Sequence, residues 1–120
     1  KINTFPNLTE LVCDYNPLTE IAINDNLESI NASHTKLSEI KYMKSLTDFI
    51  CDKTPIKYLP PYAIFENIEL CKTRVNYVPY YKTLKRLKCE KDAEFDLDPL
   101  YTIKTCSEYK NIWEIDFFTI

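Results

Sequence analysis

The sequence predicts a solenoid, mostly of β-structure, with one strand per coil and the strands stacked in parallel. Three observations lead there. A phrase of apolar positions recurs every 19 residues without insertion or deletion, beginning at Leu8, Leu27, Leu46, Phe65 and Leu84. Inside the phrase apolar and polar residues alternate, as in Glu10-Leu11-Val12-Cys13-Asp14, which is the signature of a half-buried strand. Strands that return once per period in the same direction must stack side by side in parallel, because each repeat is buried only by its neighbours.

The first copy reads Leu8, Leu11, Cys13, Asn16, Leu18, Ile21; the second Leu27, Ile30, Ala32, Thr35, Leu37, Ile40. The third reads Leu46, Phe49, Cys51, Thr54, Ile56, Leu59, and the fourth Phe65, Ile68, Leu70, Thr73, Val75, Val78. The fifth keeps Leu84, Leu87, Cys89, Asp92 and Leu97 but places Glu94 in an apolar slot, where Phe95 is expected to turn inward instead. The return path is too short for a helix of about 10–14 residues plus its turns. Pro60-Pro61, Pro79 and Pro99 favour extended, polyproline-like or 3₁₀ segments there.

A degenerate sixth copy begins at Ile103. Terminal coils each expose one apolar side, so Ile2 and Phe5 are expected to cover the first coil and residues 112–118 the last. The alternative for that tail is pairing with a second chain through Trp113, Ile115, Phe117 and Phe118, since an uncovered strand edge invites pairing.

The repeated phrase resembles the leucine-rich repeat family, whose pattern is L-x-x-L-x-L-x-x-N-x-L. The resemblance covers roughly residues 5–100 and is closest to the short bacterial-effector or viral type. It implies a right-handed solenoid of the α/β class with one parallel sheet on its concave face. It also implies a protein-binding module that uses the outward strand positions, possible targets being host proteins. On that face the residues expected to contact a partner are Glu10, Val12, Asp14, Asn31, Asp48, Ile50, Asp52, Glu69, Arg86 and Lys88. The early coils are acidic and the fifth is basic, with Val12 and Ile50 as apolar anchors. Such a surface fits a partner of complementary charge.

Other columns are expected to serve structure. Asn16, Thr35, Thr54, Thr73, Asp92 and Asn111 share one position, where a short oxygen-bearing side chain can satisfy turn backbone. Lys53, Lys72, Lys91 and Lys110, preceded by Tyr15 and His34, border the outward face. Tyr58 with Tyr77, and Tyr62 with Tyr81, are expected to stack between coils on the return side.

Among the five cysteines, Cys13, Cys51 and Cys89 occupy one inward slot two coils apart. Two strand spacings are about 9.6 Å, beyond the ~7 Å limit for a disulfide, so these are core residues. Cys71 faces outward, and Cys106 is expected inward in the sixth copy. An odd count with an outward thiol favours a reducing, intracellular setting, although Asn7-Leu8-Thr9 and Asn31-Ala32-Ser33 are nominal glycosylation sequons.

The whole chain, 1–120, reads as a single domain. A net charge of −3 speaks against nucleic acid as a partner, and no apolar run reaches the ~18 residues of a membrane span. There is no glycine, hence no Gly-rich phosphate cradle. The one histidine, His34, has no catalytic partner nearby in sequence, and so small and flat a solenoid is not expected to hold a ligand-sized cavity. The expectation is a non-enzymatic chain with no cofactor and no metal. Beginning at Lys1 rather than methionine, it also fits a targeting module cut from a larger enzyme.

Overall fold

In a computed structural model, residues 6–92 and 95–119 are described. Ile2 and Phe5, expected to cover the first coil, and Glu94, at the break of the fifth, lie outside the described residues. The described chain is all-β, a β-solenoid of about five turns. Its main sheet contains β1 (Glu10–Val12), β2 (Ser29–Asn31), β3 (Asp48–Ile50), β4 (Asn67–Glu69), β6 (Arg86–Glu90), β8 (Ile103–Tyr109) and β9 (Ile112–Phe117). A two-stranded sheet of β5 (Tyr77–Val78) and β7 (Asp96–Leu97) lies on the return side. The α/β label is corrected by this, because no described segment is helical; of the extended or 3₁₀ returns expected, no 3₁₀ helix forms among the described residues, and Tyr77–Val78 and Asp96–Leu97 are extended.

The 19-residue period becomes the sheet register directly. Glu10, Ser29, Asp48, Asn67 and Arg86 align across parallel neighbours, as do Leu11, Ile30, Phe49, Ile68 and Leu87. Each of the parallel strands β2, β3, β4 and β6 is entered by the same step, in which one carbonyl accepts two successive amides of the next coil. Thr9 O accepts from Glu28 and Ser29, Glu28 O from Thr47 and Asp48, and Glu66 O from Lys85 and Arg86. A turn closes ahead of the strand in several coils, with Leu27 N donating to Asn24 O, Leu46 N to Met43 O and Leu84 N to Tyr81 O.

The core is the stack of the phrase's apolar columns. Ile30, Phe49, Ile68 and Leu87 are buried, as are Leu37, Ile56 and Val75 and the inward cysteines Cys13, Cys51 and Cys89. Phe49 and Phe65 stack at 6.0 Å, and Tyr81 meets Phe65 edge-on at 5.1 Å. Leu8 and Leu11 of the first coil are only partly buried, as expected at an end of a stack. Phe95 packs partly against the core.

The oxygen-bearing column works within each coil. The Thr35, Thr54 and Thr73 hydroxyls donate to the carbonyls of Ala32, Cys51 and Leu70 at 2.7, 2.7 and 3.0 Å, and Asn16 Nδ2 does the same to Cys13 O. The residue just before it turns the corner. Tyr15, His34, Lys53 and Lys72 all have φ between 54 and 59°, the left-handed region that suits glycine best. A glycine-free chain makes these corners with bulky residues.

The sixth copy departs from expectation. Residues from Ile103 form an antiparallel hairpin of β8 and β9, turning at Lys110 and Asn111, which both have positive φ. Two successive positive-φ residues make the hairpin turn that matches strand twist. β9 then pairs antiparallel with β6, setting Ile115 beside Leu87 and Trp113 beside Cys89. Ile115 and Phe117 are buried in the core, so the last parallel strand is covered by the chain itself. These two, named for self-association, are spent on that cap; Trp113 packs partly against the core and Phe118 is exposed. Cys106 is exposed rather than inward, because β8 overhangs the last coil. All five cysteines are free.

The return side also differs. Tyr62, at φ 64°, is 91% exposed, while Tyr81 is buried with its hydroxyl donating to Pro60 O. The two therefore do not stack. The extra bend at Pro61-Tyr62 throws that ring outward, and Tyr81 packs against Phe65 instead.

Candidate interaction face

The outer face of the main sheet carries the residues named from sequence, row by row. Val12 is 61% exposed, and Asn31, Ile50, Glu69 and Lys88 continue its row, each half-buried. Glu10, Asp48 and Arg86 lie in the adjacent row, with Ser29 and Asn67 between them. Asp14 and Asp52 sit where the strands end.

Many of these side chains already hold one another. Asp48 Oδ1 accepts from Asn67 Nδ2 at 2.7 Å. Lys88 Nζ lies 3.5 Å from Glu69 Oε1. Ser33 Oγ accepts the Asp52 amide at 3.1 Å and Asp52 Oδ1 accepts the Cys71 amide at 2.8 Å, forming a staircase between coils. Asn31 Oδ1 accepts the Ser33 amide at 3.2 Å. Asp52 and Asn31 thus have backbone partners that the sequence pattern did not reveal.

Sequence reasoning missed the contribution of β9. The expected basic end of the face is not left open, because β9 sets Asp116 and Glu114 beside Arg86, at 3.1 and 3.5 Å. Arg86 holds the Asp116 carboxyl below its usual range, with the Thr105 hydroxyl assisting. The acidic-to-basic gradient therefore closes on a further acidic row. Only the alternation Trp113-Glu114-Ile115-Asp116-Phe117 hinted at this.

The structure also corrects the expectation of no cavity. A cleft of about 560 Å³ lies at the strand ends beneath the hairpin turn, lined among others by His34, Asp52, Glu69, Cys71, Lys88 and Tyr109. Its size falls in the usual ligand range, although its lining is far more charged than that of a typical small-molecule site. A smaller depression of about 240 Å³ adjoins it, lined by Asp48, Ile50, Asn67, Glu69, Arg86 and Lys88. Glu69 and Lys88 belong to both.

Burial raises the Glu69 carboxyl above its usual value, nearby Asp52 raises it further, and Lys88 pulls it part of the way back. Burial, with Asp52 as the next cause, pushes the Cys71 thiol up to about 12, so at neutral pH it is protonated, the reverse of an activated nucleophile. His34 is half-buried, with its ring stacked on Tyr15 at 4.1 Å. Lys53, Lys72 and Lys110 rim the cleft and make no ion pair with a described residue. Lys91 instead bonds Glu108 at 2.8 Å and lies over the Trp113 ring.

Among the described residues there is no cluster of three or more metal-ligating side chains, and no helix is long and apolar enough to cross a membrane. No protein-family model, no curated protein and no solved structure matches the chain.

Proposed function

We propose that the chain is a non-enzymatic protein-binding module, a short leucine-rich-repeat solenoid that receives a partner protein on the outer face of its sheet. The observation that carries this reading is the 240 Å³ depression lined by Asp48, Ile50, Glu69, Arg86 and Lys88. Five residues named for binding thus share one concavity, with a half-buried isoleucine at its side and charges of both signs around it. That is the arrangement of an apolar anchor ringed by polar contacts, and charges of both signs select a partner's register more than they add affinity. The cleft under the hairpin extends the same surface and offers a partner loop or side chain a place to enter.

Replacing Asp48, Ile50 and Lys88 together by Ala, Ser and Ala tests the reading by affinity capture and mass spectrometry from the native setting. The expected outcome is loss of the proteins captured by the unaltered chain, with thermal unfolding within a few degrees of its original midpoint. Unchanged capture would remove the sheet face from consideration. A parallel variant, Tyr58→Ser with Tyr62→Ser on the return side, is expected to capture as before.

A further inference from the structure

The main sheet ends on β8, and all seven residues of that strand are exposed. Its inner side overhangs the last coil, so Cys106 and Glu108, paired across the hairpin with Ile115 and Trp113, have no core beneath them. Its backbone is half-used. Phe117 N–H donates to Lys85 O, and antiparallel pairing alternates residue by residue. Trp113, Ile115 and Phe117 therefore turn their backbone groups to β6, while Ile112, Glu114 and Asp116 turn theirs to β8. On β8 the partners Tyr109, Ser107 and Thr105 point back, which leaves the amides and carbonyls of Cys106 and Glu108 facing away from the sheet. Such an edge is a template for another strand.

The strand reads Ile103-Lys104-Thr105-Cys106-Ser107-Glu108-Tyr109, and it is complementary to itself when reversed. About Cys106, Thr105 falls opposite Ser107 and Lys104 opposite Glu108. We propose that β8 pairs antiparallel with β8 of a second copy, about a two-fold axis at Cys106, to make a homodimer with one sheet running through both chains. An ion pair and a hydroxyl pair each occur twice, as a self-complementary two-fold interface requires, and opposite charges placed across strands stabilise the pairing. A parallel, in-register pairing would instead set Lys104 against Lys104 and Glu108 against Glu108, so the same charges oppose open-ended stacking.

Glu108 already holds Lys91 at 2.8 Å, and in the dimer its carboxylate lies between two lysines. The bulge between Ile103 and Thr105 means that Lys104 reaches Glu108 through its long side chain rather than along the ladder. A single strand pair buries less than the ~1,600 Å² of a standard interface, so the dimer is weak and concentration-dependent. An axis perpendicular to the sheet keeps both outer faces on the same side, where two identical sites can engage a repeated partner.

Sedimentation of the full chain over rising concentration at low salt is expected to show an approach from 14.2 kDa toward twice that mass. Lys104→Glu, an exposed change far from the core, is expected to raise the dissociation constant roughly tenfold or more, because two attractive pairs become repulsive. Glu108→Lys is expected to do the same, and an equimolar mixture of the two variants to recover a heterodimer with opposite charges restored. A short bismaleimide is expected to cross-link the unaltered chain into a dimer and to fail with Cys106→Ser. Fluorescence of the single Trp113 reports whether the hairpin is intact. Where Glu108→Lys melts it, Lys104→Glu and the cross-link decide. A monomer at every concentration would overturn the proposal, and so would a dimer indifferent to Lys104→Glu.

Discussion

Replacing Lys53 by glycine is expected to stabilise this protein, against the usual effect of glycine in a repeat. Lys53 is exposed and sits at φ 54°, with its amide donating to Cys71 O at 2.8 Å, a bond that glycine keeps. A side chain in the left-handed region costs about 1–2 kcal/mol. Glycine brings a larger loss of chain entropy on folding, about 0.5–1 kcal/mol. The difference favours glycine by about 0.5–1 kcal/mol, which for a chain of this length raises the unfolding midpoint by roughly 2–4 °C. Lys36 is the control: it is equally exposed but is not at positive φ, so Lys36→Gly is expected to lower the midpoint by a similar amount. Differential scanning calorimetry on both variants checks the pair. A loss at Lys53 equal to the loss at Lys36 would refute the corner argument. His34→Gly is expected to change little, because relief of the corner is offset by loss of the 4.1 Å stack on Tyr15.

Thr54→Val keeps shape but removes the hydroxyl that donates to Cys51 O at 2.7 Å in a buried site; urea unfolding is expected to show a loss of about 1–3 kcal/mol. Glu69 gives a pH signature. Its carboxyl is raised in the folded state by burial and by Asp52, so the folded chain binds that proton more tightly than the unfolded one. Its contribution is therefore complete below the ordinary glutamate pKa and is lost as pH rises through the raised value. Between pH 4 and pH 7, stability relative to the unaltered chain is expected to rise with pH for Glu69→Gln, because the variant lacks the loss that Glu69 contributes, and a relative fall would contradict the assignment.

How far the fold was legible depended on period and on length. The unbroken 19-residue spacing from Leu8 to Leu84 specified the strands, their parallel direction and their register, because a single slip would turn every inward residue outward. The column of Asn16, Thr35, Thr54 and Thr73 was legible for the same reason: each coil presents the same carbonyl to the same hydroxyl or amide. The split of Tyr62 from Tyr81 was not legible, since it turns on a single bend after Pro60. Nor was the closure of the charge gradient, since Asp116 reaches Arg86 across 30 positions of chain.

By itself, then, the sequence determined the coil, its core columns, its outward face and the buried state of Cys13, Cys51 and Cys89, because each of these is a local pattern repeated against an identical neighbour. Only the tertiary structure decided what happens where the repetition stops. There the segment from Ile103 folds back as a hairpin, β9 closes the parallel edge with Ile115 and Phe117, a cleft opens beneath Lys110 and Asn111, and β8 is left as the sheet's outer strand. Antiparallel closure joins residues with no periodic relation to one another. The burial of apolar side chains against the last coil selects it, with the Arg86–Asp116 and Lys91–Glu108 ion pairs at its rim, and that surface exists once the preceding coils have stacked.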